Sequence, residues 1–418
     1  MDVGAGPADR LRAREELVVN VLKKTYCRVF QTAFRVALPV LPYREPKPLG
    51  SVAEVGGVLK GHGSSKALIV TDPTVEGLGL IEGIKRSLVD AGLSYSVFAG
   101  VVANPTIACV EAARAQYVEE DCDALIAVGG GSSMDCAKVC GARVVRPDEP
   151  ISKMRGILKV HHRLPPFIAV PTTAGTGSET TLAAVITDGE THYKYPINDF
   201  CLIPHYAVLD WRMTEKLPAS VTATTGMDAL VHAVEAYIGR STTRQTRSCA
   251  ELAVRLIEKY LLRAYENGED AAARKGMLRA AYSAGLAFTK SYVGYVHGVA
   301  HSLGGQYGTP HGLANAVLLP YFLDEYGESC EHRLAKLARN SGVVERGLSD
   351  AETSRAFIAW VRKMNRALGI PEKIEGIREE DIPVMAAHAD RESNPLYPVP
   401  KLMDAKELER MYRKVMAA

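Results

Sequence analysis

The strongest constraint on what this chain can fold into is a change of pattern near residue 217. Before it, short apolar runs alternate with helical stretches. After it, helical stretches simply follow one another. KALIVTD (66–72) reads as a short buried strand, 75–92 as a helix, LSYSVFAG (93–100) as a strand and IACVEAARAQYVEE (107–120) as a helix. DALIAVGGGSS (123–133) is a strand running into a glycine turn, MDCAKVCGARVV (134–145) continues as a helix, and PPFIAVPTTAGTGSETT (165–181) repeats the strand and turn. Such alternation specifies a mainly parallel, doubly wound sheet. Helical periodicity then covers 219–239, 244–266, 270–290, 295–306, 312–326, 330–342, 350–368 and 404–417. Residues 9–38 form a further helix, suited to packing, oligomer contact or targeting, and Pro39, Pro42, Pro46 and Pro48 force an extended connection after it. The expected division is an N-terminal helical extension (1–40), an α/β domain (41–216) and an all-α domain (217–418).

A chain of 418 residues exceeds what one core usually serves, which agrees with two main domains. Fifty basic residues balance 48 acidic ones, leaving no electrostatic footprint for nucleic acid. No stretch approaches the roughly 20 apolar residues that span a bilayer, so a membrane role is not expected. The N-terminus carries Asp2, Asp9, Glu15 and Glu16 and lacks a secretory pattern. Eight dispersed cysteines without a CxxC pair suit a reduced, cytoplasmic protein.

Two helical stretches repeat one spacing. Asp228 and His232 sit four apart, as do His297 and His301, and residues i and i+4 share a helix face. His311 follows Pro310, at a turn or helix start. A lone helical His is usually a surface or satisfied core residue, and Asp228 with His232 alone would be read so. Three of the chain's 11 His fall between 297 and 311, and that clustering turns the balance. Three imidazoles and a carboxylate at Asp228, His232, His297 and His311 suit Fe²⁺ or Zn²⁺.

In the first half, GGGSSMDCAK (129–138) follows a strand and opens a helix, where glycines let a ligand approach and the helix N-terminus favours phosphate. It is not the G-x-G-x-x-G fingerprint, and it follows the third strand read from the sequence rather than the first. Asp135 either contacts a carboxamide or caps the helix. Thr172, Thr173, Thr176 and Ser178 either bond a ligand or satisfy their own turn. Asp72 either accepts from a ribose 2′-hydroxyl, which favours NAD over NADP, or is a turn residue before Pro73.

Taken together, GGGSSMDCAK, PTTAGTGSE (171–179), KYPI (194–197), TGMDALVHAVEAY (225–237) and HGVAHSLGGQYGTPHGLANAVLLP (297–320) resemble the iron-containing (group III) alcohol dehydrogenases, from about residue 40 to DAKELERMY (404–412). The resemblance implies the dehydroquinate synthase-like fold: an α/β dinucleotide-binding domain and an all-α metal-binding domain with the site between them. It implies metal ligation by Asp228, His232, His297 and His311, with Fe²⁺ expected and Zn²⁺ possible. It implies a non-ligand His301 beside the nicotinamide, relaying the proton. Asp72, Asn104, Gly130, Gly131, Ser132, Asp135, Thr172, Thr173 and Lys194 match positions around NAD(H), which is preferred over NADP(H). The implied activity interconverts a short primary alcohol or diol and its aldehyde, in a cytoplasmic homodimer. A zinc polyol dehydrogenase of the same fold, or a scaffold role, is the alternative. Three features depart from the family pattern: His205 and Trp211 in PHYAVLDW (204–211), expected to affect packing or a hinge; Tyr292 and Tyr295, expected to reshape the substrate pocket; and the N-terminal extension.

Overall fold

The computed structural model describes residues 7–189 and 194–417. Nine strands occur among them: β1 (Lys47–Leu49), β2 (Lys66–Val70), β3 (Ser94–Phe98), β4 (Ala124–Gly129), β5 (Gly156–Ile157), β6 (Phe167–Pro171), β7 (Ala183–Thr187), β8 (Lys194–Asn198) and β9 (Tyr206–Val208). Six form one sheet in the order β1-β9-β6-β4-β2-β3, with every pairing parallel. Its central strands are apolar on both faces, as a sheet covered on both sides requires. Leu68, Val70, Leu125, Ala127, Phe167 and Ala169 enter the core on one face. The alternate residues Ala67, Ile69, Ile126, Val128, Ile168 and Val170 enter the core on the other, following the period of two.

Strand order reverses direction at the middle of this sheet. From β2 the chain moves outward to β3; it then returns to β4 on the opposite side of β2 and continues to β6 and β9. The turns after β2 and β4 therefore diverge, opening a crevice at the carboxyl ends of neighbouring strands, the usual ligand position in such sheets.

Several details depart from the sequence reading. The 75–92 helix is two helices, Pro73–Gly77 and Glu82–Asp90, because glycines at 77 and 79 interrupt it. The Pro-rich connection contains edge strand β1, and an edge tolerates Pro48 because its missing N–H faces no partner. β7 and β8 form an antiparallel hairpin that β5 joins as a second sheet. Because β1 comes first, the glycine turn at 129–131 follows the fourth strand of the chain, not the third. A helix not anticipated from the sequence, Ile382–Ser393, precedes the C-terminal helix Ala405–Val415.

The helical half keeps the expected elements, including Ala219–Ile238, Arg244–Glu266, Ala271–Ser291, Tyr295–Tyr307 and His311–Tyr326. They share one core, which Cys27 of the Pro7–Ala37 helix joins. The N-terminal helix thus packs on the helical half. Arg28 donates to the carbonyls of Val399 and Pro400, and Gln31 to those of Pro395 and Tyr397. Phe34 meets Tyr292 edge-on at 5.0 Å. The α/β half meets the helical half closely at Gly175, where an added Cβ would lie 2.4 Å from the Thr225 carbonyl oxygen. Only glycine lets the PTTAGTGSE turn sit against the helix that carries Asp228.

Candidate active site

Four helices place the polar residues of the helical half. Ala219–Ile238 carries Asp228, His232 and Glu235; Tyr295–Tyr307 carries His297 and His301; His311–Tyr326 starts on His311 and carries Asn315; Ile382–Ser393 carries Glu392. Asp228, His297 and His311 converge, each offering a ligand atom within 4.8 Å of the others. The Asp228 Oδ1 lies 3.7 Å from His297 Nε2 and 3.6 Å from His311 Nε2. His232 lies beside this trio: its Nδ1 is 3.9 Å from Asp228 Oδ2, and its ring stacks between Phe288 and His297 at centroid distances of 4.1 and 4.5 Å.

The electrostatics favour neutral imidazoles. Burial lowers His232, pushes His297 well below its ordinary value and takes His311 down to about 4. His232 Nδ1 and His297 Nε2 are buried and have no hydrogen-bond partner. Buried lone pairs without partners are costly, and here they face a carboxylate that is only 2% exposed. A divalent cation among Asp228, His297 and His311, with His232 adjoining, would satisfy such lone pairs and balance the carboxylate, so the donor set fits the ion that the sequence implies.

Two partners in this layer were not singled out from the sequence. Glu235 Oε2 lies 2.6 Å from His297 Nδ1, and the same carboxylate accepts from the backbone N–H groups of Gly294 and Val296, both at 2.9 Å. A proton on Nδ1 donated to Glu235 leaves Nε2 as a bare lone pair, the tautomer that binds metal. Asn315 Nδ2 donates to Asp228 Oδ1 at 2.7 Å and to His311 Nε2 at 3.0 Å. Glu235 sits three residues past His232 on one helix face, and Asn315 four past His311; that spacing was the available signal.

His301 behaves differently from the other three. Burial opposes its charge, but Glu392 outweighs burial and raises it, with Nδ1 2.5 Å from Glu392 Oε1. Its ring stacks near His311 at 5.1 Å. The site therefore pairs neutral imidazoles with one that holds a proton readily.

The α/β half presents its polar residues at the crevice. Asp72 is the turn residue that one sequence reading allowed. Its Oδ1 caps the Pro73–Gly77 helix, accepting from Thr74 and Val75 N–H at 3.0 Å, while its Oδ2 points toward Gly129 of the β4 turn. Gly129 holds φ +150, and a Cβ there would strike the Ser133 hydroxyl. Gly130 caps the Gly131–Val145 helix without a side-chain bond, leaving the first-turn N–H groups for an anion. The Thr173 hydroxyl is buried and unpartnered beside Gly130. Asn104, at φ +56, donates its N–H to the Ser132 hydroxyl. The first-turn N–H groups and the Thr173 hydroxyl are donors that would suit a dinucleotide phosphate.

Asp135 is not a cap. The helix begins at Gly131, which puts Asp135 beyond the first turn, where it accepts from the Ser178 hydroxyl and the Val185 N–H. Burial pushes it up to about 6. Thr172 is buried against the same turn, donating its N–H to the Gly129 carbonyl. Lys194 opens β8, and burial lowers its amine. Tyr295 does not reshape a pocket; it is fully buried, its hydroxyl bonded to Asn394 and Met403. His205 has a packing role, its Nδ1 accepting from the Phe167 N–H at the start of β6.

Comparison with known proteins agrees with this geometry. The family model for the iron-containing alcohol dehydrogenases matches residues 48–211, and that for their C-terminal region matches 222–416. The NAD-dependent methanol dehydrogenase of Bacillus methanolicus is 39% identical over 342 residues, covering 81% of this chain and 90% of that protein. The 1,3-propanediol dehydrogenase of Klebsiella pneumoniae is 35% identical, covering 91% and 98%. Among solved structures, a 1,3-propanediol oxidoreductase superposes with a TM-score of 0.85 at 35% identity, covering 89% of this chain and 99% of that one. A sulfoacetaldehyde reductase from Bifidobacterium kashiwanohense, solved with NAD⁺, gives 0.78 at 28% identity, covering 89% and 98%. On sequence across both halves and on fold, the chain belongs to the iron-containing alcohol dehydrogenase family and is an oxidoreductase of alcohols and aldehydes.

Proposed function

We propose that this chain is a metal-dependent, NAD(H)-linked enzyme that interconverts a short primary alcohol or diol and its aldehyde. The observation that carries the reading is the convergence of Asp228, His297 and His311, with the unpartnered lone pairs of His232 and His297 beside them. Asp228, His232, His297 and His311 would hold Fe²⁺, and the same donors accommodate Zn²⁺. When bound, the ion supplies Lewis acidity at the substrate oxygen, and the nicotinamide supplies or takes the hydride. Asp228 brings the negative charge that balances the ion. His301 gives or takes the proton, on a ring that Glu392 keeps easily protonated. Gly130, Gly131, Ser132, Asn104, Thr172 and Thr173 line the phosphate turn, and Asp135 and Lys194 border it. The free carboxylate oxygen of Asp72 at the crevice supports NAD(H) over NADP(H), because it would repel a 2′-phosphate. Relatives named for methanol, 1,3-propanediol and lactaldehyde support a small substrate. A cytoplasmic homodimer completes the reading, in keeping with eight free cysteines.

The test is anaerobic NADH oxidation over short aldehydes, with Fe²⁺, Zn²⁺ or chelator added and an NADPH arm in parallel. Turnover that chelator removes and metal restores is the expected result. Turnover indifferent to chelator, or none in protein that binds NADH, overturns the reading.

A second expectation concerns Glu235. Glu235→Gln removes the charge that holds His297 in its metal-binding tautomer, so Zn²⁺ affinity measured by chelator competition should fall about 10- to 100-fold. An unchanged affinity would show that the carboxylate does not act on the metal site.

A further inference from the structure

His301 is held from behind. Its Nδ1 lies 2.5 Å from Glu392 Oε1, and the Tyr397 hydroxyl donates to that same oxygen at 2.8 Å. Neither Glu392 nor Tyr397 belongs to the motifs that define the site, and the helix bearing Glu392 is the one that the sequence left unread. An exposed His–carboxylate pair usually carries little, because both side chains swing freely. This one is different in its anchorage. Tyr397 is buried, and its carbonyl accepts from Gln31 at 2.8 Å. Two residues on, the Val399 carbonyl accepts from Arg28 at 2.7 Å. The N-terminal helix thus braces the loop, the loop holds Tyr397, and Tyr397 holds Glu392.

An imidazole has two nitrogens, and a hydrogen bond at one decides the tautomer and the direction of the other. With Nδ1 committed to Glu392, Nε2 is the nitrogen that His301 can offer to the cleft. We propose that Glu392, steadied by Tyr397, is a positioning residue that orients His301 and fixes its tautomer for proton transfer. This rests on the assignment of His301 as the proton relay. Among the described residues Glu392 makes its side-chain hydrogen bonds with His301 and Tyr397, not with the ligand cluster, so its positioning effect acts on the His301 ring.

The test uses the full-length, zinc-loaded protein and the variants Glu392→Leu and Glu392→Gln. Bound zinc, NADH affinity, kcat and KM are measured for each. In parallel, the imidazole ¹⁵N shifts of His301 are read in ¹⁵N-histidine-labelled protein, assigned with His301→Gln. Glu392→Leu should lower kcat about 10- to 100-fold with KM, zinc and NADH affinity unchanged. Its His301 shifts should move from one tautomer to a mixture. Glu392→Gln, which still offers an oxygen to Nδ1, should recover most of both. A Leu variant with parental kcat and an unchanged tautomer overturns the proposal, as does loss of zinc, which would mark a structural role. If the parent protein turns over no aldehyde, the dehydrogenase reading falls, while the ¹⁵N shifts still decide whether Glu392 sets the His301 tautomer.

Discussion

Asp228→Ala protein is expected to fold, to retain no metal and to turn over at least about a thousandfold more slowly than its parent. The magnitude follows from losing several kcal/mol of Lewis-acid stabilisation, since each 1.36 kcal/mol is tenfold in rate. Asp228 is the point on which the trio converges, with both other ligand atoms within 3.7 Å of its Oδ1. Without its charge, the imidazoles, two buried and one half-exposed, would hold a divalent ion weakly, because nothing offsets the cost of desolvating that charge. Folding should survive. The substitution removes a buried carboxylate, and Asn315 Nδ2 keeps His311 Nε2 as an acceptor at 3.0 Å. Metal content by elemental analysis, the thermal midpoint and aldehyde turnover decide the matter together. Parental turnover in metal-free Asp228→Ala protein would rule out metal-dependent chemistry at this site.

Lys138→Met should produce the largest loss of stability. Lys138 is completely buried, and among the described residues its ammonium makes no ion pair, Asp135 and Glu179 attracting it only from a distance. It donates instead to the Ser178 carbonyl at 2.8 Å, the Ser178 hydroxyl at 3.1 Å, the Thr181 hydroxyl at 2.8 Å and the Ala183 carbonyl at 2.8 Å. Burial lowers its amine to about 8, so it remains charged at neutral pH. One cation thereby ties the helix after the phosphate turn to the PTTAGTGSE turn and to β7. Methionine fills similar space but donates nothing. The Thr181 hydroxyl can redirect to the Ser178 or Ala183 carbonyl, which offsets part of the loss. The remaining unpaired acceptors cost about 3 kcal/mol. That corresponds to a fall in thermal midpoint of roughly 6–12 °C. NADH affinity should weaken as well, because the two turns proposed to face the cofactor lose their shared anchor. A midpoint and an affinity both within error of the parent would contradict this role.

Legibility varied with how much of an element's environment its own residues encode. The long helices of the second half were readable because each presents a wide apolar stripe to a common core, and 3.6-residue periodicity reports that directly. β2, β4 and β6 were readable as continuous apolar runs, since strands covered on both faces need them. β1 and β9 were not, because strands of three residues carry no period. Asp228, His297 and His311 stood out because a carboxylate and closely spaced imidazoles form an unusual combination. The residues behind them did not. Glu235 and Asn315 lie inside recognised motifs, but an acid or amide on a helix has many ordinary uses. Glu392 lies in a stretch where Ile382-Pro383 marked a helix start that went unread. Its partnership with His301 spans 91 positions, which no local pattern could disclose. Asp72 shows a subtler limit: capping occupies only its Oδ1, so the turn reading and the proposed ribose contact do not compete for one oxygen.

The grip of the N-terminal helix has a consequence for how this chain can vary. Arg28 and Gln31 fasten the 395–400 segment entirely through main-chain carbonyls. Such a clasp recognises the path of the loop and is indifferent to which side chains it displays. Apart from the buried residues 397–399, among them Tyr397 that holds Glu392, substitutions in that loop can therefore accumulate without loosening the clasp, whereas one inserted or deleted residue would shift all four carbonyls out of register. The clasp constrains the length of the loop more than its outward-facing composition.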